Sequence, residues 1–399
     1  MNSEQWIEKS DKYIMKTYGR YPIVPVKGEG CRLWDADGKE YLDFLAGVAV
    51  NNLGHCHPRV VKALQDQAAT LIHCSNYYQI PQQIELAELL CNHSFADKAF
   101  FCNSGAEANE AAIKLARKYS REKFDSLERY GIITAAESFH GRTLATVAAT
   151  GQEKVQRFFD PLLHGFTHVP FDDLSALEAA INPETCAIML EPIQGEGGIN
   201  VPSVAYMQGV RELCDRHKLL FILDEVQVGM GRTGKLFAHE HFGVTPDIMT
   251  LAKALAGGAP IGTMLARDEV AASFTPGTHG STFGGNPLVT AAAIAAVKTI
   301  LEDGLLNRAE EMGEYLHGEL EKLGTRYSFV KEVRGIGLMI GMSLTIPGAE
   351  IVKKGHMLGL LLNVTQDSVL RFVPPLTVTK QEVNRMIEIL EKIFKEIDA

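Results

Sequence analysis

No apolar run in the 399-residue sequence is long enough to cross a bilayer; the longest, Leu288–Val297, is Ala-rich and about half of a spanning helix. The amino terminus, MNSEQWIEKSD, lacks the charged-then-apolar layout of a secretory signal, so a cytoplasmic protein without a membrane partner is expected. Positive charge is scarce. The 39 Lys and Arg are outnumbered by 49 Asp and Glu, and no dense basic block could track a phosphate backbone, which argues against a nucleic-acid partner. The seven cysteines are odd in number and none forms a CxxC pair, which points to reduced thiols instead of disulfides or structural zinc. His55, Cys56 and His57 lack a second ligand cluster, and HEH at 239–241 lacks the HExxH spacing, so no metal is expected. Gly (36) and Pro (16) are near average, and with 46% hydrophobic residues the composition excludes disordered and fibrous classes. At about 150 residues per domain the length implies two or three domains.

What is present is a βα alternation from about 95 to 290, the pattern of a mostly parallel sheet. Its expected strands include Lys98–Cys102, Gly131–Ala135, Cys186–Leu190, Leu219–Leu223 and Ile248–Leu251. Ligands of open parallel sheets bind beyond the carboxyl ends of the strands. Residues following these strands should therefore share one rim: Asn103 to Gly105, Glu137 to His140, Glu191, Asp224-Glu225 and Lys253. The last 110 or so residues read as a smaller α+β unit: a helix over roughly 288–323, a strand over 333–342, a helix at 349–358, strands at 360–363 and 369–372, and a helix at 380–397. Residues 1–55 carry a hairpin with an Asp37-Gly38 turn and are expected to pack with that unit, residues 288–399, beside a large domain of residues 56–287.

Three segments carry chemistry. FFCNSGAEANEAAIKLARKY places Ser104, Gly105 and Ala106 at a helix start, which is either a phosphate seat or an ordinary capped terminus. LLFILDEVQVGMGRTG ends an apolar strand on Asp224, a costly place for a carboxylate unless a cation meets it. Its GMGRTG matches the dinucleotide fingerprint by letter, but the first glycine lies five residues beyond Asp224 and no helix follows, so a nicotinamide oxidoreductase is the weaker reading. DIMTLAKALAGG sets Lys253 directly after a strand, where it is either an exposed rim lysine or a functional amine. Together, a phosphate seat, a strand-end acid and a strand-end lysine meet the requirements of pyridoxal phosphate: an anchor, a partner for the ring nitrogen and an amine for the aldehyde.

With FHGRT, EPIQGEGG, LAKALAGGAPIG and HGSTFGGNP, these segments resemble the class III pyridoxal-phosphate-dependent aminotransferases of fold type I, from about Gly28 to the final helix. The resemblance implies an α/β fold with a mostly parallel seven-stranded sheet flanked by helices, a smaller α+β domain built from both termini, and a homodimer with shared active sites. It implies that Lys253 binds the cofactor covalently and shuttles the proton, and that Asp224 holds the ring nitrogen. Phe139 would stack on the ring and Gln227 would bond its phenolic oxygen. Ser104, Gly105 and Ala106, with Thr282 of the partner subunit, would hold the phosphate, and Glu191 belongs to the same cofactor-binding set. Arg142 and the partner subunit's Ser281 would contact the amine donor. Arg371 would bind the α-carboxylate of 2-oxoglutarate, and Glu196 would mask Arg371 while the ω-amine is bound.

The subgroup it is most similar to moves the δ-amino group of N-acetylornithine to 2-oxoglutarate in arginine biosynthesis. Ornithine, succinylornithine, N-acyl-lysine and 4-aminobutyrate stay open as donors, since one methylene or acyl difference is worth only about 1–3 kcal/mol. Ornithine-specific members have tyrosine where Val48 stands here, which favours an acylated donor.

Overall fold

A computed structural model describes residues 1–398. After an amino-terminal helix, Ser3–Tyr13, comes an antiparallel meander of β1 (Pro25–Glu29), β2 (Arg32–Asp35) and β3 (Glu40–Asp43). Its second turn is the Asp37-Gly38 site. Gly38 adopts φ 84°, and the Asp35 carboxylate accepts the amides of Asp37 and Lys39.

The central sheet contains β4 (Lys98–Cys102), β5 (Gly131–Ala135), β6 (Phe166–Val169), β7 (Thr185–Leu190), β8 (Leu220–Asp224), β9 (Ile248–Leu251) and β10 (Gly262–Ala266). Their order is β4-β10-β9-β8-β7-β5-β6, and β10 alone runs against the others. Strands β7, β8 and β9 are buried at every position, as strands covered on both faces must be, and that is why CAIML and LFIL read as unbroken apolar runs. The sheet has the seven strands expected, with β6 and β10 the two not marked by the apolar pattern. Strand β6 lies at the sheet edge with Thr167 and His168 exposed, and GTMLA of β10 is too weakly apolar to stand out.

The carboxyl-terminal part holds β11 (Val330–Ile336), β12 (Met339–Leu344), β13 (Leu360–Leu361), β14 (Asn363–Thr365) and β15 (Val369–Phe372). Four of them form the antiparallel sheet β11-β12-β15-β14, while β13 pairs in parallel with β3 and ties the two ends of the chain together. Two expectations need correcting. The strand over 333–342 is a hairpin that turns at Gly337 (φ 57°), where a Cβ would meet the Thr233 backbone at 2.5 Å. The helix over 288–323 is two helices, Pro287–Glu302 and Leu305–Gly324, because Gly304 takes a left-handed φ of 68° between them.

GMGRTG has a structural role. Arg232 within it is fully buried and donates to the carbonyls of Leu338 (3.0 Å) and Pro374 (2.5 Å) and to the Asn52 side chain, fastening the large sheet's loop to the chain termini. No helix among the described residues is long and apolar enough to cross a membrane.

Candidate active site

The carboxyl ends of β5, β7, β8 and β9 lie on one side of the sheet because these strands are parallel, and the loops that follow enclose a cavity of about 390 Å³. Ser104, Gly105, Ala106, Phe139, Arg142, Glu191, Asp224, Gln227 and Lys253 all line it. A larger cleft of about 680 Å³ beside β2 and the last helix is lined by exposed ion pairs such as Arg32 with Glu40, and brings together no comparable set.

At one end of the cavity begins the helix Gly105–Phe124. Ser104 caps it by accepting the Glu107 amide (3.2 Å), and the Glu107 carboxylate returns to the Asn103 amide (2.7 Å). Gly105 and Ala106 stand in the first turn, whose N–H groups have no acceptor within the helix and favour an anion. Glycine is required at 105: a Cβ would lie 2.7 Å from Val226 Cγ1.

Deep in the cavity, the buried Asp224 carboxylate accepts three hydrogen bonds. His140 Nδ1 (2.8 Å) and Asn109 Nδ2 (2.7 Å) donate to Oδ2, and the Val226 amide (3.1 Å) donates to Oδ1. Asn109 is oriented in turn, since Thr250 donates to its Oδ1 at 2.7 Å and its Nδ2 also reaches the His140 carbonyl at 2.8 Å. Burial depresses the His140 pKa, but the hydrogen bond and charge of Asp224, helped by Glu191, outweigh it and hold His140 above its ordinary value. The sequence reading gave no role to His140, Asn109 or Thr250. Asn109 carried a signal: it is a polar residue on the buried, alanine-lined face of its helix.

Glu191 also lies in the cavity wall, and its carboxylate accepts the Phe139 amide (3.1 Å) and the Gly195 amide (3.2 Å). It thus joins the loops after β5 and β7. Burial pushes its pKa up to about 7, with Asp224 adding to the rise and His140 opposing it. The Arg142 guanidinium lies 5.5 Å from the Phe139 ring centroid, close enough for a cation–π contact at the cavity mouth.

Lys253 opens a short 3-10 turn with φ 42°, a left-handed conformation rare for a side chain with a Cβ and associated with functional sites. Burial lowers its pKa; Glu196 and Asp224 oppose that shift and Arg371 adds to it. Behind Gln227, Arg371 is buried at 1% exposure and donates to Glu196 Oε1 (2.5 Å) and Gln227 Oε1 (3.1 Å), while Gln227 Nε2 reaches Glu196 at 3.3 Å. Although burial raises the Glu196 pKa, Arg371 more than offsets this and holds it low. Ser281 and Thr282 are not in this cavity. They line a separate cleft with Glu107 and Glu110, in contact with Asn103 through Ser281 Oγ (3.1 Å).

Residues 13–394 match the family described as aminotransferase class-III. The chain belongs to the class-III aminotransferases. Acetylornithine aminotransferase of Caldanaerobacter subterraneus subsp. tengcongensis is 56% identical over 97% of this chain and 98% of that protein. The enzyme of the same name from Methanocaldococcus jannaschii is 54% identical over the whole of both chains. Among solved structures, ornithine aminotransferase from Toxoplasma gondii ME49 superposes with a TM-score of 0.96 at 36% identity, covering 100% of this chain and 96% of that one.

For this class-III aminotransferase, the family implies pyridoxal 5'-phosphate, and the site fits it. An anion-seeking helix start, a strand-end carboxylate with fixed donors and a desolvated lysine surround one cavity, matching a phosphate, a protonated ring nitrogen and an aldehyde. The cavity wall also includes Val50. Val48, two residues earlier, sits within a turn of four residues with positive φ, Ala46 to Ala49, and is not among the residues lining the cavity.

Proposed function

We propose that this class-III aminotransferase moves the δ-amino group of N2-acetyl-L-ornithine to 2-oxoglutarate, giving N-acetyl-L-glutamate 5-semialdehyde and L-glutamate. The observation that carries this reading is the Arg371–Glu196 pair. A buried arginine paired with a partly exposed loop carboxylate suits an enzyme that must hide a carboxylate receptor from an ω-amine donor and offer it to an α-keto acid. Eight relatives at 47–56% identity bear the name acetylornithine aminotransferase, which favours the acylated donor over free ornithine.

Ser104, Gly105 and Ala106 would hold the cofactor phosphate, completed by Thr282 of the partner subunit in a homodimer. Asp224 would keep the ring nitrogen protonated, Phe139 would cover one face of the ring, and Gln227 would reach the phenolic oxygen. When bound, pyridoxal phosphate supplies an aldehyde to receive the amine and an electron-withdrawing ring that acidifies the adjacent carbon. Lys253, the covalent attachment point, would carry the proton at its Nζ from the donor carbon. Arg142 and the partner subunit's Ser281 would bind the donor; Arg371, once Glu196 turns away, would take the α-carboxylate of 2-oxoglutarate in a two-pronged contact that lysine could not reproduce.

The purified holoenzyme should show a visible cofactor band that bleaches when N-acetylornithine is added alone and returns when 2-oxoglutarate follows. Ornithine and 4-aminobutyrate should bleach it at least about tenfold more slowly. A band indifferent to N-acetylornithine would overturn the donor assignment.

Glu191 makes a separate, pH-dependent prediction. A carboxyl whose folded pKa is raised from 4.5 to about 7 stabilises the fold below its unfolded pKa and loses that contribution as pH rises through the folded value. Glu191→Gln should therefore flatten the fall in thermal midpoint between about pH 5 and pH 7.5. An unchanged slope would count against this ionisation.

A further inference from the structure

The five residues 195–199, which include Glu196, form a loop closed by reciprocal backbone hydrogen bonds between Gln194 and Asn200 (3.0 and 3.2 Å). Its far end is strained. Gly198 takes φ 109°, and Ile199, a β-branched residue, takes φ 57°, a conformation that persists only where surrounding contacts impose it.

Those contacts come from one transverse row of the carboxyl-terminal sheet. Arg334 on β11 pairs in register with Gly341 on β12, Gly341 with Arg371 on β15, and Arg371 with Asn363 on β14. Arg371 binds the Glu196 carboxylate and is steadied by the Asn363 side chain, which accepts from its Nε at 3.2 Å. Two positions along the row, Arg334 Nε donates to the carbonyls of Gly198 (3.1 Å) and Ile199 (3.0 Å), and its Nη2 donates to Gly198 at 2.6 Å. Between the two arginines, Gly341 leaves room for the buried Ile199: a Cβ there would lie 2.9 Å from Ile199 Cβ. The row therefore grips the loop at two places, by a guanidinium on its carboxylate and by a second guanidinium on its backbone.

We propose that Arg334 is a positioning residue for the Glu196 gate. Holding the backbone at Gly198 and Ile199, it leaves Glu196 free to turn by its side chain alone and makes the pairing with Arg371 the resting arrangement. Gln366 supports the same loop, donating to the Glu196 carbonyl at 3.2 Å and to Glu137 at 2.8 Å. With Arg334 lost, Glu196 covers Arg371 for a smaller fraction of the time. The ω-amine half-reaction, which needs Arg371 covered, then suffers, and the glutamate half-reaction, which needs it open, does not. This inference rests on the reading of Glu196 as a mask.

The test compares Arg334→Gln, Arg334→Lys and Glu196→Gln holoenzymes in separate half-reactions, with N-acetylornithine and with glutamate. Arg334→Gln should lower kcat/KM for the ω-amine about tenfold and leave that for glutamate unchanged or higher. Arg334→Lys, which keeps the positive charge that pairs with the Glu332 carboxylate but loses the fork, should show the same split to a smaller degree and serves if the glutamine variant does not fold. Hydrogen exchange across residues 195–200 of the holoenzyme should rise in both Arg334 variants. If both half-reactions fall together, or exchange in the loop is unchanged, Arg334 is only structural and the proposal fails. If Glu196→Gln shifts the ratio of half-reactions and the Arg334 variants do not, the gate stands and this inference alone is overturned. If none of the three shifts it, the mask reading fails and takes the inference with it.

Discussion

Replacing Lys253 with alanine should lower transamination by about ten-thousand-fold or more while the protein still folds. Lys253 follows β9 directly, so a buried strand and the 3-10 turn after it fix the origin of its side chain. Burial lowers its pKa and raises the share of free amine near neutral pH, the form that can accept a proton. The two carboxylates in the cavity are held by other partners: that of Asp224 by His140, Asn109 and the Val226 amide, and that of Glu191 by the amides of Phe139 and Gly195. Stability should move in the opposite direction from activity. In the cofactor-free protein, a lysine whose folded pKa is depressed by burial penalises the fold at pH values below its unfolded pKa, so removing it relieves that penalty at neutral pH. Steady-state turnover, with thermal midpoints of both proteins stripped of cofactor and the variant's no lower than the parent's, would separate the two effects; a variant within tenfold of the parent rate would overturn the role of Lys253.

Asp224→Asn should cost about a thousand-fold in kcat/KM, the scale of losing one preorganised electrostatic group in a water-poor site. The replacement is nearly isosteric, but it removes the charge and presents an amide group that can satisfy at most part of the set of donors now aimed at the carboxylate. His140 reports the change independently of turnover. Because Asp224 supplies the hydrogen bond and most directly the charge that lift the His140 pKa against burial, the imidazole should titrate at lower pH in the variant, as followed by NMR of the ring nitrogens. Cofactor retention on dialysis should also weaken. Parent-like rates together with an unmoved His140 titration would remove Asp224 from the centre of the site.

Strands β5, β7, β8 and β9 were legible because burial on both faces leaves a short apolar run ending abruptly in a polar residue, and edge strand β4, only partly buried, because AFFC is apolar throughout. The same logic exposed the rim, since each strand's end is marked by the residue that breaks the run: Asn103, Glu191, Asp224. Where burial is partial, the signal fades, as at edge strand β6 with its exposed Thr167 and His168. Gly304 and Gly337 were visible as letters, but their left-handed turns were hidden inside longer apolar patterns that continue on either side.

The kinds of groups at the cavity, and their placement beyond strand ends, were set by local sequence: apolar runs dictate buried strands, and small or polar residues after them dictate loops at one rim. Tertiary structure alone decided which groups face one another. His140 and Asn109 meet Asp224 across 84 and 115 residues, and Arg371 meets Glu196 across 175. Such contacts leave no periodic trace in the chain, because hydrogen bonds between distant segments depend on how sheets and helices stack and not on the spacing along any one of them. Likewise Gly341 shows its purpose only when the register of β12 sets it between Arg334 and Arg371, with Ile199 filling the space its missing side chain leaves.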